Sequence, residues 1–135
     1  MKSLFQIIMS AVALLIFGPN LWAQSAEQDA VSNLVTRAWH LRQSAPNQAF
    51  AKVNQALITA ENLADTKLVA KALYVMATIK YIQEEYQQAH TFGQRANTQY
   101  QANNNTQGVA NALDLLASIT LKTTNYSLAA KYYQK

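Results

Sequence analysis

The sequence contains no cysteine. This absence excludes disulfide bonds, thiolate catalysis, cysteine-ligated zinc and iron–sulfur clusters. It also excludes the lipid-modified cysteine that anchors a bacterial lipoprotein. Charge is scarce as well: only 13% of the 135 residues are charged, and the eleven lysines and arginines are scattered without forming a run. Because nucleic-acid binding requires a basic stripe with interleaved aromatic residues, we expect no nucleic-acid partner in spite of the net charge of +4.

Groups that could carry chemistry are equally sparse. The three glycines form no phosphate-binding loop, and His40 and His90 have no ligand partner at metal spacing, so we expect neither a cofactor nor a metal. Glu84 and Glu85 are adjacent, and adjacent side chains on a helix point about 100° apart. Because catalysis needs converging groups with tuned pKa values, we predict that the chain is not an enzyme.

The amino-terminal segment, Met1–Ala23, has the features of a secretory signal peptide. Lys2 supplies a positive start, and Leu4–Phe17 is an uncharged apolar core that Gly18, Pro19 and Asn20 are expected to end. These fourteen apolar residues would extend about 21 Å as a helix, short of the ~30 Å thickness of the hydrocarbon layer. The pattern therefore favours a cleaved leader over a membrane-spanning helix.

Cleavage is expected after Ala23, with Ser25 as the alternative, and an uncleaved anchor stays open. The mature chain, residues 24–135, would then be exported, to the bacterial periplasm. Membrane contact is expected only if the leader is retained.

The chain does contain an internal repeat, with a period of about 40 residues that lies in the range typical of helical repeat arrays. Leu68–Arg95 aligns with Gly108–Lys135 without a gap, and nine of the 28 aligned pairs are identical. Much of the apolar half of the composition is alanine, which suits helices that meet through small side chains. The repeat therefore indicates a row of paired helices.

Breaks in the apolar pattern place six helices. Pro46, Tyr86 and Tyr126 are evenly spaced along the chain, each at the third position before an alanine, and mark the second helix of each pair. The other three helices are expected to begin at a capping box from Ser25, after the N-cap Asp65, and after the turn Asn103–Asn105 with Thr106 as N-cap. We therefore expect the fifth helix to cover Gln107–Lys122 and a sixth to begin near Tyr126.

At these positions the chain resembles the tetratricopeptide repeat family, in its long-repeat form. That family alternates large and small residues in helix A and places a tyrosine near the turn before small residues in helix B. Glu84 and Thr124 replace the turn glycine, Gly93 replaces a helix-B aromatic, and other α-solenoids remain an alternative. The resemblance implies an all-α fold, an α-solenoid of antiparallel helix pairs with two and a half to three repeats, over residues 26–64, 66–102 and 106–135. The second copy meets the pattern at Leu73, Met76, Ala77, Tyr86, Ala89 and Ala96, and the third at Leu113, Leu116, Ala117, Tyr126, Ala129 and Tyr133.

Members of this family bind partners on the concave surface lined by the A helices, and the resemblance therefore implies a groove. Trp39, Tyr74 and Tyr81 are expected to form its aromatic part, since tyrosine, tryptophan and arginine carry much interface energy. For Trp39, packing between repeats is an equal alternative. The expected groove residues of the three repeats are Trp39 and Arg42; Lys71, Tyr74, Thr78 and Tyr81; and Asn111, Asp114 and Ser118.

Two functions follow as expectations. The first is an exported protein-interaction module that binds a protein or peptide segment on its concave face. The second is the sensory or scaffolding front end of a longer membrane-bound signalling protein, such as a sensor kinase or a cyclic-dinucleotide enzyme. Leu128, Tyr132 and Tyr133 cannot all be covered by a preceding helix. We therefore expect either a fragment of a longer array or self-association through the C-terminal helix.

Overall fold

A computed structural model describes the backbone of residues 3–134 and the side chains of all of these except 14, 16, 17, 19 and 128. Lys2, the predicted positive start, and Lys135 lie outside the described residues. The described part is all-helical, a solenoid-like row in which each helix packs against the next. Its helices are α1 (Leu4–Leu41), α2 (Pro46–Asn62), α3 (Thr66–Ile82), α4 (Tyr86–Ala102) and α5 (Thr106–Tyr133).

The helix starts agree with the period of about 40 residues and show that it consists of two periods of 20 residues. The helices from α2 to α5 begin at residues 46, 66, 86 and 106, and α2, α3 and α4 each have 17 residues. Three-residue turns follow α2, α3 and α4, and their central residues Ala64, Glu84 and Asn104 have φ of 53°, 62° and 54°. The module is therefore one helix plus a turn with a left-handed central residue, and it occurs three times in succession, as α2, α3 and α4.

Local signals for the helix starts are largely confirmed. Pro46 is the first residue of α2, where its missing N–H costs no hydrogen bond. The Asp65 carboxylate caps α3 by accepting a hydrogen bond from the backbone N–H of Leu68 at 3.0 Å. At α5 the cap is Asn105 rather than the predicted Thr106, since the Asn105 side chain accepts from the N–H of Gly108 at 2.9 Å.

Two predicted breaks are wrong. Helix α1 continues from Leu4 through Gly18 and the proposed cap at Ser25, so no helix begins there. A glycine costs a helix only about 1 kcal/mol relative to alanine, which the long run of helix on both sides of Gly18 can offset. Helix α5 likewise continues past Tyr126 instead of ending at Lys122, so the predicted sixth helix is part of α5.

The core between the helices is made of small side chains, as the composition predicts. Ala77 and Ala89 are fully buried between neighbouring helices. Gly93 lets α5 approach, because a Cβ there would lie 3.0 Å from Cδ2 of Leu116. Ala117, which the repeat predicts at a similar close contact, is instead exposed, because no helix of the described chain folds back over α5.

The odd-numbered helices, α1, α3 and α5, lie closer together than the even-numbered helices, α2 and α4. Cα atoms of α1 and α3, and of α3 and α5, come within 8 Å of each other, whereas within the described chain those of α2 and α4 do not. The row therefore curves with α1, α3 and α5 on its inner side. This is the side on which the groove was expected.

Lys80 is a basic residue in the last turn of the largely apolar helix α3. Its ammonium lies 4.4 Å from the centre of the Phe50 ring and 3.1 Å from the carboxylate oxygens of Glu85. Because its side chain is only 11% exposed, the aliphatic stem serves as core while the charge is paired.

None of the described helices combines the length and the hydrophobicity that a membrane crossing requires.

Candidate functional site: an aromatic cleft between α1 and α3

A cleft of about 230 Å³ opens on the inner side, between α1 and α3. The rings of Trp39 and Tyr74 stack across it, with centroids 6.1 Å apart and planes inclined by 25°. Both side chains are half-buried, so each ring packs between helices and also presents an edge to solvent. We call this the aromatic cleft; it is lined by Val35, Thr36, Trp39, Lys71, Tyr74, Val75 and Tyr100.

Arg42 holds the Trp39 end of the cleft. Its guanidinium lies 3.7 Å from the centre of the Trp39 ring, and it donates a hydrogen bond to the Trp39 carbonyl oxygen. A guanidinium over an indole is a favourable cation–π geometry that also fixes the ring. The structure therefore brings Trp39, Arg42 and Tyr74 together, as predicted, with the exposed Lys71 on the rim.

Tyr100 completes the cleft, and the sequence reasoning missed it. It belongs to α4, but its ring reaches the inner side and meets Tyr74 edge to face, with centroids 6.4 Å apart. Burial, followed by the nearby Tyr74 phenol, raises the pKa of Tyr100 to about 12. The Tyr100 phenol is therefore harder to ionise than that of an exposed tyrosine.

Gly108 makes room for this ring. A Cβ at Gly108 would lie 2.2 Å from Cδ1 of Tyr100, so any larger residue must displace the ring. One repeat earlier the same two positions hold Ala60 and Leu68, which reverse the sizes. This exchange of small and large residues is the signal in the sequence that could have identified Tyr100.

Tyr81, predicted to share the groove with Tyr74, belongs to a second cluster. Its ring lies 5.8 Å from that of Tyr86, which in turn lies 5.9 Å from that of Tyr126. Partial burial, and then the Tyr126 phenol, raise the pKa of Tyr86. Tyr81 therefore packs about two turns further along α3, against Tyr86 at the start of α4, and Tyr86 in turn contacts Tyr126 on α5.

The remaining predicted groove residues contribute little to the cleft. The Thr78 hydroxyl donates to the carbonyl oxygen of Tyr74 at 3.0 Å, within its own helix. The Ser118 hydroxyl donates in the same way to the carbonyl oxygen of Asp114 at 3.0 Å, and the Asn111 side chain accepts from Gln107 at 2.9 Å. Asn111, Asp114 and Ser118 all lie on α5 and are absent from the cleft lining.

A larger depression lies elsewhere, over α3 between α2 and α4. It measures about 480 Å³, and Arg95 and Glu61 approach to 3.6 Å at its edge with both side chains half exposed. An exposed pair of this kind contributes ~0–1 kcal/mol, and most of the lining side chains are polar. Within the described chain no group of three or more potential metal ligands is present.

Comparison with protein-family models, with curated proteins and with solved structures finds no match.

Proposed function

We propose that the chain is a tetratricopeptide-type protein-interaction module that holds a segment of a partner protein in the aromatic cleft. The observation that carries this proposal is the stacked pair Trp39 and Tyr74 on the inner side, with Arg42 over one ring and Lys71 at the rim. Partly exposed aromatic rings that are already immobilised lose little conformational entropy when they bind.

The chemistry of the cleft suits a short apolar segment rather than a reacting small molecule. Its rings and valines offer contact area, and its polar groups are the two basic side chains, the Thr36 hydroxyl and the tyrosine hydroxyls. None of these forms a nucleophile and base pair. The partner is therefore a protein or peptide with an apolar anchor, and no catalytic step is involved.

Site-specific photocrosslinking tests the proposal. A benzoylphenylalanine at Lys71 is expected to capture a defined partner in cells that make the protein, because this position is exposed at the cleft rim. The same probe at Gln88, exposed on α4 and absent from the cleft, is the matched control. Equal capture of the same partner at both positions would contradict the proposal.

A second variant pair separates ring contact from folding. Tyr74→Phe keeps the stack on Trp39 and should retain capture at Lys71. Tyr74→Ala removes the stack and should reduce capture at least about tenfold, the loss that goes with ~1.4 kcal/mol. If circular dichroism shows the same helix content in both variants, unfolding is excluded as the cause of the reduced capture.

We also propose that the protein is exported and that residues 1–23 are its leader. The first buried side chain of the described chain is Val31, while Phe5 and Trp22 are 72% and 81% exposed. Removing the leader would therefore take away exposed apolar surface and leave the core intact. N-terminal sequencing of the protein from an envelope fraction should find Gln24 or Ala26, and recovery with Met1 still present would indicate a retained anchor.

A further inference from the structure

One face of α5 lacks a covering helix within the described chain. Leu113 and Leu121 are 50% and 62% exposed, and Ala117 between them is exposed as well. Ala110 extends this stripe by one more turn towards the start of the helix and is also exposed. We call these four residues the α5 face.

The repeat shows what such a face accepts. The residues of α3 equivalent to Ala110, Leu113 and Ala117 are Ala70, Leu73 and Ala77, which are buried at 0%, 1% and 0% exposure. Tyr81, the equivalent of Leu121, is half-buried. Ala77 lies 3.9 Å from where a Cβ of Gly93 would be, so the cover is α4, an antiparallel helix that presents a small residue. The α5 face is therefore shaped for an antiparallel helix with small residues at the contact.

The distal part of α5 does not provide this cover. It continues the helix, and Tyr126 packs on Tyr86 instead. Nine residues separate Ala117 from Tyr126, which places them half a turn apart around the helix, on opposite sides. The fold-back turn would also need a left-handed residue at Thr124, the position equivalent to Glu84, and a β-branched residue disfavours that conformation.

We propose that a second copy of the chain covers the α5 face, with the two α5 helices antiparallel and related by a two-fold axis at Ala117. The stripe is self-complementary about this residue. Leu113 and Leu121 lie four residues on either side, so each leucine of one copy meets the other leucine of its partner. Ala110 lies opposite Thr124 in the same way, which keeps the helices close at both ends.

Charge and symmetry agree with this pairing. Between residues 110 and 124 the charged residues are Asp114 and Lys122. The antiparallel register places Asp114 opposite Thr120 and Lys122 opposite Ala112, so no like charges face each other. The same patch on both copies gives a closed, isologous dimer. The contact extends over about 21 Å of helix, smaller than a standard interface, so the dimer is weak and depends on concentration.

Disulfide crosslinking of the full chain tests the proposal, since the sequence has no cysteine to interfere. Ala117→Cys places two thiols at the two-fold axis. At ~50 µM protein under mild oxidation, it should form a covalent dimer at least about tenfold faster than Ala102→Cys, whose thiols meet by collision alone. Ala102 is the control because it is exposed at the end of α4, away from the α5 face.

Two aspartate variants identify the surface responsible. Leu121→Asp should abolish the excess crosslinking of Ala117→Cys, while Ile58→Asp should leave it unchanged. The two side chains are exposed to 62% and 52%, but Ile58 lies on α2, outside the α5 face. A crosslink lost with Ile58→Asp and kept with Leu121→Asp would overturn the proposal in favour of association through α2.

Two further outcomes would also overturn it. Crosslinking of Ala117→Cys no faster than of Ala102→Cys would show that the copies do not meet at this face. Slow alkylation of the Ala117→Cys thiol in a monomer would show that the chain's own residues 126–133 cover the face.

Discussion

The contact between Tyr100 and Gly108 can be tested by replacing both residues with those at the equivalent positions one repeat earlier. One repeat earlier, Ala60 and Leu68 occupy the same two positions with the sizes reversed. If the contact follows from volume alone, Tyr100→Ala and Gly108→Leu together should pack as the earlier pair does. Each substitution alone should destabilise the protein.

The magnitudes follow from the structure. Gly108→Leu brings a Cβ to 2.2 Å from Cδ1 of Tyr100, and overpacking of this kind costs ~1–3 kcal/mol. Tyr100→Ala removes a side chain that is 6% exposed, and loss of a buried aromatic costs ~3–5 kcal/mol. In the double variant the leucine fills part of the cavity. We therefore expect it to be ~1–3 kcal/mol more stable than the sum of the single changes.

Urea unfolding of the four proteins, followed by circular dichroism, measures this coupling energy. The double variant should be more stable than Tyr100→Ala alone. Additivity within ~0.5 kcal/mol would refute the reasoning, because it would show that the ring and the glycine do not share one space. The double variant should also lose partner capture at Lys71, since the cleft then lacks its third ring.

Three further predictions use other parts of the molecule. Ala89→Leu should lower the free energy of unfolding in urea by ~1–3 kcal/mol because Ala89 is fully buried, whereas Ala102→Leu should be nearly neutral. Equal losses of stability would contradict the assignment of Ala89 to a close contact between helices. Thr124→Gly should let the chain turn back at this position, which hydrogen exchange would detect as protection of Ala117; unchanged exchange would show that Thr124 does not decide the path. Because the folded pKa of Tyr100 is about 12 against 10.0, the unfolded state loses its proton first; its contribution to stability is full below pH 10 and is lost as pH rises towards 12. Absorbance titration at alkaline pH should therefore show a late tyrosine step that is absent in Tyr100→Phe; a step that persists would assign it elsewhere.

The period and most helix starts could be predicted because they depend on local chemistry. Pro46 and Asp65 act within a few residues of where they stand, through a missing N–H and a capping carboxylate. The turn at Glu84 has no glycine or proline, yet alignment with Pro46 placed it correctly. A repeat thus supplies from its other copies the information that one copy lacks.

The helix start predicted at Ser25 failed on local signals, since α1 continues through it, but two other errors occurred where the repeat was taken too literally. The alignment of Tyr126 with Tyr86 predicted a sixth helix, but α5 continues through this position. Thr124 stands where Ala64, Glu84 and Asn104 adopt a left-handed conformation, which a β-branched side chain disfavours. The same literal alignment predicted a close contact for Ala117, which needs a following helix as its cover. Leu128, predicted to lack full cover, has a side chain outside those described.

The cleft was predicted in part because its residues lie on facing helices far apart in sequence. Trp39 and Tyr74 were assigned to the inner side through the family resemblance, and their rings do stack between α1 and α3. Tyr100 could not, because it reaches the cleft from α4 only where Gly108 leaves space. Tyr81 was placed beside Tyr74 because both lie on the same face of α3, but seven residues separate them by about 10 Å along the helix.

Departures from the repeat therefore carry more functional information here than agreements with it. Identical positions such as Ala72 and Ala112, both fully buried, can only reproduce a shared helix contact, and a shared contact cannot distinguish one segment of the row from another. Tyr100 with Gly108 moves an aromatic ring to the inner side in the second repeat, and Ala60 with Leu68 does not do so in the first. If a peptide binds on the inner side, as we propose, it would meet three rings at one place, and the solenoid would have a preferred binding position. Restoring the first-repeat pair at residues 100 and 108 should therefore remove that preference without removing the solenoid.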